Sequence, residues 1–568
     1  IRLSYSTLRP LNTLMPGISL QFCKIQDRRE LSKKEFQTLL SNPDYEIVCR
    51  ADSGYPLHKL ETSEFFAFIE GKIYSEKIEG VSFEKALTKL WNGEQNAEDY
   101  FWELDGEFIV ILASKRTDKV IFINDALGRL PVYFHEAKPL IISRDLFSIK
   151  EMLGNLEFDQ SGIYQFLRLG FPLGNRTLFK RIKKVRYKTI LHFKSNDVRK
   201  TSGVHLNIHG SKALDENDVE TLYEEFLLGI KLRTKKNKIA LSLSGGLDSR
   251  AILGSLAKEN LPYSLFTFHY SNPIIDRDFQ ISQELARHYK GTLSKINVDE
   301  WSPQHFKTLI RDKMGMNYLG MAFILEFLKF TGKNDLMLTG DGGDKTLAPL
   351  TPLLAPGLNG LAPYILQENQ ISSKLELENL LELDISKEEK TITDYILKLP
   401  GSNSKEKYKS FLLFERGMNW LFEGEDRNRS IIWSTSPFYS PRFFQASHRI
   451  RESDKANYLL FAKFLERIDP ELNRISNANW NFALSEKSKV RQLFLKQKIK
   501  QGVKKFYRSK PRGVDTEDSI HQALRAELSG GNLDGKLPIK KLDQNRLTIG
   551  LGWHLLTLAY LINEIDDK

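Results

Sequence analysis

Cysteine is almost missing from this chain: Cys23 and Cys49 are its two thiols in 568 residues. Two cysteines exclude a disulfide-built secreted scaffold and a Cys-rich metal site, so a reducing cytoplasm is the expected compartment. The histidines supply no cluster at metal-ligand spacing either. No apolar run reaches the ~18 residues of a membrane span; the nearest, Leu551 to Ile562, contains His554 and reads as a buried terminal helix. Acid is in deficit, with 72 Asp and Glu against 83 Lys and Arg and a net charge of +11. That balance favours a polyanionic partner such as a nucleotide, RNA or membrane lipid. Much of the excess lies between Lys487 and Arg512, either a solvated helix face or a dock for an acidic ligand. Residues 1–16 read as an upstream or disordered arm, because Met15-Pro16-Gly17-Ile18 has the look of a start. No apolar core of a signal peptide precedes it.

What the chain does contain is a glycine turn in an informative place. Ile239-Ala240-Leu241-Ser242-Leu243 is a strand-like run. Ser244-Gly245-Gly246-Leu247-Asp248-Ser249-Arg250 follows, then the helical pattern Ala251 to Ala257. The first amides of a helix lack internal partners and its dipole favours negative charge there, so strand, glycine turn and helix start make an anion site. The G-K-[ST] ending of a Walker A loop is missing. Asp248 does not suit direct phosphate contact, which points to a Mg2+ ion bridging it to phosphates. A second strand-then-glycine segment, Asp335-Leu336-Met337-Leu338-Thr339-Gly340-Asp341-Gly342-Gly343-Asp344-Lys345, repeats the logic.

From 17 to 205 short β-runs alternate with turns: Ile18 to Phe22, Phe65 to Tyr74, Phe108 to Ala113, Val120 to Asn124, Val132 to Phe134, Leu140 to Ser143 and Thr189 to Phe193. A helical stretch covers Ser82 to Trp91. This spacing predicts an antiparallel sheet layered with helices, an α+β domain. Polar residues 206–217 read as a linker. From 218 onward come the helix Asp218 to Leu232, the glycine turn, the strand Tyr263 to Phe268 and a helix through Asp278. That alternation predicts an α/β doubly wound parallel sheet with its ligand at the carboxyl ends of the strands. The remainder to 568 is largely helical.

Ser244-Gly245-Gly246-Leu247-Asp248-Ser249 resembles the signature of the PP-loop ATP pyrophosphatases, in the form found in the asparagine synthetase family. Leu104-Asp105-Gly106-Glu107-Phe108, Asn124 to Tyr133 and Ile142-Ser143-Arg144-Asp145 resemble phrases of that family's N-terminal glutaminase half, an N-terminal-nucleophile (Ntn) hydrolase-like layered fold. The resemblance implies ATP and Mg2+ as cofactors. It also implies nucleotide contacts from Leu241, Ser242, Ser244, Gly245, Gly246, Asp248, Ser249, Thr267 and Gly340. Asp248 and Asp344 would share the Mg2+. Asp341, at the Glu position of the family's S-G-E-G-x-D-E loop, would act as base toward an attacking amine. Glu425-Asp426-Arg427 and Ser436 to Ser440 are similar to two later phrases of the family. The family's adenylate-neutralising lysine has no clear counterpart; Lys487 is the candidate for it, with Lys489 as the alternative and Arg250 beside the loop as a cation that shares the charge.

The departures are informative. The glutaminase phrase Met-Cys-Gly-Ile reads Met15-Pro16-Gly17-Ile18, and proline has no thiol. The family's Asn-Gly-Glu-Ile-Tyr-Asn reads Glu70-Gly71-Lys72-Ile73-Tyr74-Ser75, placing an anion where a donor should face an oxyanion. Cys23 sits in an apolar run and reads as structural. The expectation is an amide- or lactam-forming ligase without glutamine hydrolysis, in the manner of β-lactam synthetases and lasso-peptide cyclases. Its substrates would be small-molecule or peptide carboxylates and amines, with no membrane or nucleic-acid partner and with a homodimer allowed. An ammonia-fed asparagine synthetase and a non-catalytic nucleotide-binding scaffold remain as alternatives.

Overall fold

The computed structural model describes residues 15–50, 54–75, 81–194, 197–203, 206–235, 237–269, 273–298, 302–332, 334–504, 528, 536–540 and 547–566. Residues 1–14 of the expected arm, and Lys505, Arg508, Lys510 and Arg512 of the basic stretch, lie outside them. Met15 and Pro16, the last two residues of the expected arm, are buried.

The first half is built from two six-stranded antiparallel sheets. In one, the strand Gly17–Phe22 lies between Leu140–Ser143 and Tyr45–Arg50. In the other, Gly106–Ser114 lies between Phe65–Ile73 and Val120–Asn124. Their inner faces share one core, where Ile18, Leu20 and Phe22 meet Ile109, Ile111 and Phe122, and Phe22 stacks on Phe193 with ring centroids 4.7 Å apart. The helix Val81–Asn92 sends Phe83, Leu87 and Trp91 onto the outer face of the second sheet. The helices Leu146–Leu153 and Gln160–Leu169 do the same for the first. Four layers result, the expected α+β arrangement. Gly106–Ser114 is buried throughout because it is covered on both faces, which is why Phe108 to Ala113 is an unbroken apolar run.

The second half holds a five-stranded, fully parallel sheet in the order Leu293–Asn297, Tyr263–His269, Ile239–Ser242, Leu336–Leu338, Trp433–Thr435. Along the first of its central strands Ile239 and Leu241 enter one core while Ala240 enters another. Both faces are therefore covered, as a doubly wound sheet requires. Most of the rest is helical.

Residues 206–215, read as a linker, are packed rather than free. Leu206 and Ile208 are buried against Leu413 and Phe414, and the Gly210 N–H donates to the His448 carbonyl at 3.0 Å. The next helix, Glu216–Thr234, starts two residues before its expected boundary, because Asp215 and Asp218 form a capping box there.

Candidate functional site

The parallel sheet ends in two glycine turns that touch. After Ser242 the chain passes through Leu243–Gly246 into the helix Leu247–Lys258, whose N-cap Gly246 offers no side chain to its own amides. Those amides are left for an external anion. Three links fix the turn. The Ser244 N–H donates to Ser249 Oγ at 3.0 Å, and Ser249 Oγ donates back to the Ser244 carbonyl at 3.0 Å. The Gly245 N–H donates to Asp278 Oδ1 at 3.0 Å, which gives the sequence-noted Asp278 a structural task.

Arg250 holds the turn from behind. Its Nε donates to the Gly246 carbonyl and one Nη to that of Gly245, at 2.8 and 2.9 Å. The guanidinium also reaches the carbonyls of Leu472, Ile475 and Ser476, each at 2.8 Å. Arg250 is fully buried and faces away from the cleft. The reading of Arg250 as a charge-sharing cation is therefore corrected: its donors are used by five backbone carbonyls.

The second turn, Thr339 to Lys345, leaves the strand Leu336–Leu338 beside the first. Gly342 has φ +95°, which a side chain would strain. A Cβ on Gly343 would lie 2.5 Å from Asp248 Oδ1, and one on Gly340 would lie 2.9 Å from the Ser249 nitrogen. Glycine is needed at both because the two turns are in contact. The Asp344 N–H donates to the Asp248 carboxylate.

A cavity of about 450 Å³ opens over these turns. Ser242, Ser244, Asp248, Ser249, Gly340, Asp341 and Asp344 line it together, so the structure brings together most of the residues singled out from sequence. Leu241 is fully buried in the core. Gly245 packs behind the turn, where a Cβ would lie 3.0 Å from those of Ile281 and Ala478. Gly246 contributes backbone at the helix start. Thr267 is buried on the neighbouring strand, opposite Lys295, and does not line the cavity. Lys487 is not brought to it either: it is exposed at the start of the helix Lys487–Lys504. Lys489 is exposed as well and pairs with Glu486. Charge alone singled out Lys487, and charge does not report which way a helix face points. The cations that do line the cavity are Lys345 and Arg427.

The electrostatics are those of crowded, dry carboxylates. Burial pushes Asp248 well above the ordinary carboxylate range, and Asp344 and Asp341 push it further. Asp341 is raised to about 6, first by burial and then by Glu425 and Asp344. Asp344, the more exposed member, pairs with Lys345. Among the described residues no three His, Cys, Asp or Glu form a self-sufficient metal cage. Two adjacent carboxylates beside a helix start fit Mg2+ of another kind, one that takes one or two protein carboxylates and completes its shell with phosphate oxygens and water. Asp248 and Asp344 are the residues that would hold it.

A further part of the wall comes from the helix Phe422–Asn428. Glu425, Arg427 and Asn428 on it line the cavity, and its placement depends on the first half of the chain. Arg129 pairs with both Glu425 and Glu107, and Arg429 pairs with Glu425 at 3.0 Å. Lys313 lies 2.7 Å from Glu423 and 2.8 Å from Asp426. Arg144 bridges Asp426 at 2.6 Å and Glu70 at 2.8 Å.

Glu70 stands where the resembled glutaminase phrase has asparagine. It is fully buried and accepts the Ile18 N–H at 2.8 Å, the Arg144 Nε at 2.8 Å and the Tyr55 hydroxyl. A Cβ on Gly17 would lie 2.4 Å from that of Arg144. Burial and Glu70 push Cys49 up to about 11, and Cys23 accepts a hydrogen bond from Gln21 Nε2 at 2.8 Å. Raised in this way, the Cys49 thiol is a poor nucleophile at neutral pH.

Comparison with known families agrees with this geometry. Residues 230–479 match the asparagine synthase family, and residues 87–203 match the glutamine amidotransferase domain family. No curated protein matches the chain.

Proposed function

The chain belongs to the asparagine synthetase-like family of ATP-dependent ligases, and from that premise we propose that it joins a substrate carboxylate to a substrate amine without hydrolysing glutamine. The observation that carries this reading is a contrast between two sites. The cleft over the glycine turns keeps acids, a helix start and a cavity together, while the expected glutamine site holds Pro16 and the ion pair Glu70–Arg144.

In the proposed reaction a carboxylate oxygen attacks the α-phosphorus of ATP, the bond to the β-phosphate oxygen breaks, and pyrophosphate leaves. An amine nitrogen then attacks the acyl carbon of the adenylate, AMP departs with the bonding electron pair, and the proton lost by nitrogen passes to Asp341. An acid raised to about 6 is ionised at neutral pH, yet basic enough to take that proton. When bound, Mg2+ would offset the charge of the phosphates. The chain's own part is to present helix amides and Lys345 to the phosphates, and to hold Asp248 and Asp344 where a cation can bridge them.

Exchange of labelled pyrophosphate into ATP, run with a panel of carboxylic acids, tests this. Exchange with one class of acid, lost in Asp248→Asn and Asp344→Asn, is the expected result. No exchange with any acid, while ATP still binds, counts for a non-catalytic scaffold. AMP formation that needs only aspartate and ammonia counts for an ammonia-fed asparagine synthetase.

A further inference from the structure

Arg427 is a buried cation with no carboxylate in salt-bridge contact, Asp341 acting on it from farther away. It is 4% exposed and lines the cavity, and among the described residues no carboxylate lies within 4.0 Å of its guanidinium. Its hydrogen-bond partners are neutral. Nε and one Nη donate to Asn428 Oδ1 at 3.2 and 2.9 Å, and the other Nη donates to Asn317 Oδ1 at 2.9 Å. Every other arginine in the network around this wall has an acid in contact: Arg129 has Glu107 and Glu425, Arg144 has Glu70 and Asp426, and Arg429 has Glu425. A guanidinium held dry by two amides keeps N–H groups over for a further acceptor, and leaving a buried charge unpaired is costly. Two asparagines that orient a charge without neutralising it are what a receptor for an incoming anion needs.

Its position selects among anions. Asp248, Asp344 and Lys345 gather at the two glycine turns, where the β- and γ-phosphates would lie. Arg427 stands on the separate helix Phe422–Asn428, and Asp341 rather than Asp248 or Asp344 is the acid that acts on it. Resting on the ligase reading of the cleft, we propose that Arg427 is the α-phosphate receptor: it binds the phosphate that ATP keeps in the acyl-adenylate and in AMP. A bidentate guanidinium suits a phosphate that must be held while both bonds to it change.

The test is a ligand ladder measured by calorimetry, with adenosine, AMP, pyrophosphate and Mg2+-ATP titrated into wild-type protein, Arg427→Gln, Arg427→Lys and Lys345→Gln. Wild type is expected to bind AMP about 10- to 100-fold more tightly than adenosine, the range of one charge-assisted pair. Arg427→Gln should abolish that preference, leaving adenosine and pyrophosphate unchanged. Arg427→Lys, which keeps the charge if the glutamine variant does not fold, should retain part of it. Lys345→Gln should weaken pyrophosphate and spare AMP. An unchanged AMP preference in both Arg427 variants overturns the assignment, as does loss of pyrophosphate binding equal to the loss of AMP binding. Wild-type protein that binds Mg2+-ATP without preferring AMP to adenosine overturns the assignment and leaves the ligase reading standing; protein that binds no nucleotide overturns both.

Discussion

Arg129 gives one guanidinium nitrogen to both carboxylate oxygens of Glu425, 296 positions later in the chain, at 2.9 Å each. The two residues belong to different halves of the molecule, and both are almost wholly buried. Glu425 lines the cavity while Arg129 approaches it from behind, so the first half of the chain fixes one wall of the site.

Breaking that contact should be costly. Arg129→Met leaves Glu107 and Glu425 buried with fewer cations, and removal of one partner from a buried pair costs about 3–5 kcal/mol. Urea unfolding should register the loss. A change under about 1 kcal/mol would mean that Arg233, 3.9 Å from Glu107, and Arg429, 3.0 Å from Glu425, suffice for the two acids.

Arg250→Lys should not behave as a conservative change. An ammonium has three N–H groups and a single centre, against five carbonyls now reached by a planar fork. Each buried carbonyl left unpaired costs about 1–3 kcal/mol. The expected result is a lower melting temperature together with at least tenfold weaker ATP binding, although Arg250 does not line the cavity. Unaltered ATP affinity would show that the turn keeps its shape without the clamp.

The acids of the cleft set a pH dependence whose sign can be worked out. With Asp341 raised to about 6 and Asp248 raised as well, the folded protein holds protons that the unfolded chain has already released above pH ~4. For a raised acid the stabilising contribution is present at low pH and lost as pH climbs from ~4 through 6. Mg2+-ATP should displace those protons. Binding enthalpies measured at pH 6 in buffers of different ionisation enthalpy should reveal net proton release, and identical enthalpies in all of them would contradict it.

Glutamine should not be a nitrogen source. Incubated with the protein, it should yield ammonia no faster than the blank in a coupled glutamate dehydrogenase assay, because Pro16 has no thiol and Glu70 is tied to Arg144, Tyr55 and the Ile18 amide. Ammonia release that survives Cys23→Ser and Cys49→Ser would place the cleavage at an unrecognised nucleophile.

Local chemistry was legible in the sequence wherever a single segment carried the signal. Val120–Asn124 and Leu140–Ser143 have the expected bounds, because each is an apolar run closed by turn residues. Gln37–Ser41, Leu57–Glu61 and Asp197–Ser202 went unrecognised; these edge strands are largely solvent-facing, so their polar residues read as loop. Trp433–Thr435 is too short to announce itself. In the site, both glycine turns could be read because glycine, acid and strand end lie side by side. What could not be read is what depends on distant partners. Arg250 beside an anion loop looks like a phosphate ligand until the carbonyls of 472–476 are placed around it. Arg427 was visible as one letter of a phrase, and its pairing with amides instead of a carboxylate emerges only when Asn317, 110 positions earlier, comes alongside.

The Arg250 clamp bears on how portable this nucleotide loop is. Two of its five acceptors lie inside the Ser244–Ser249 signature, and three are more than 220 positions away. Grafting the six-residue motif onto another parallel sheet would carry over the glycines and the helix start but none of the distant bracing. A transplant that works in a foreign scaffold would need its own substitute for the strap at 472–476.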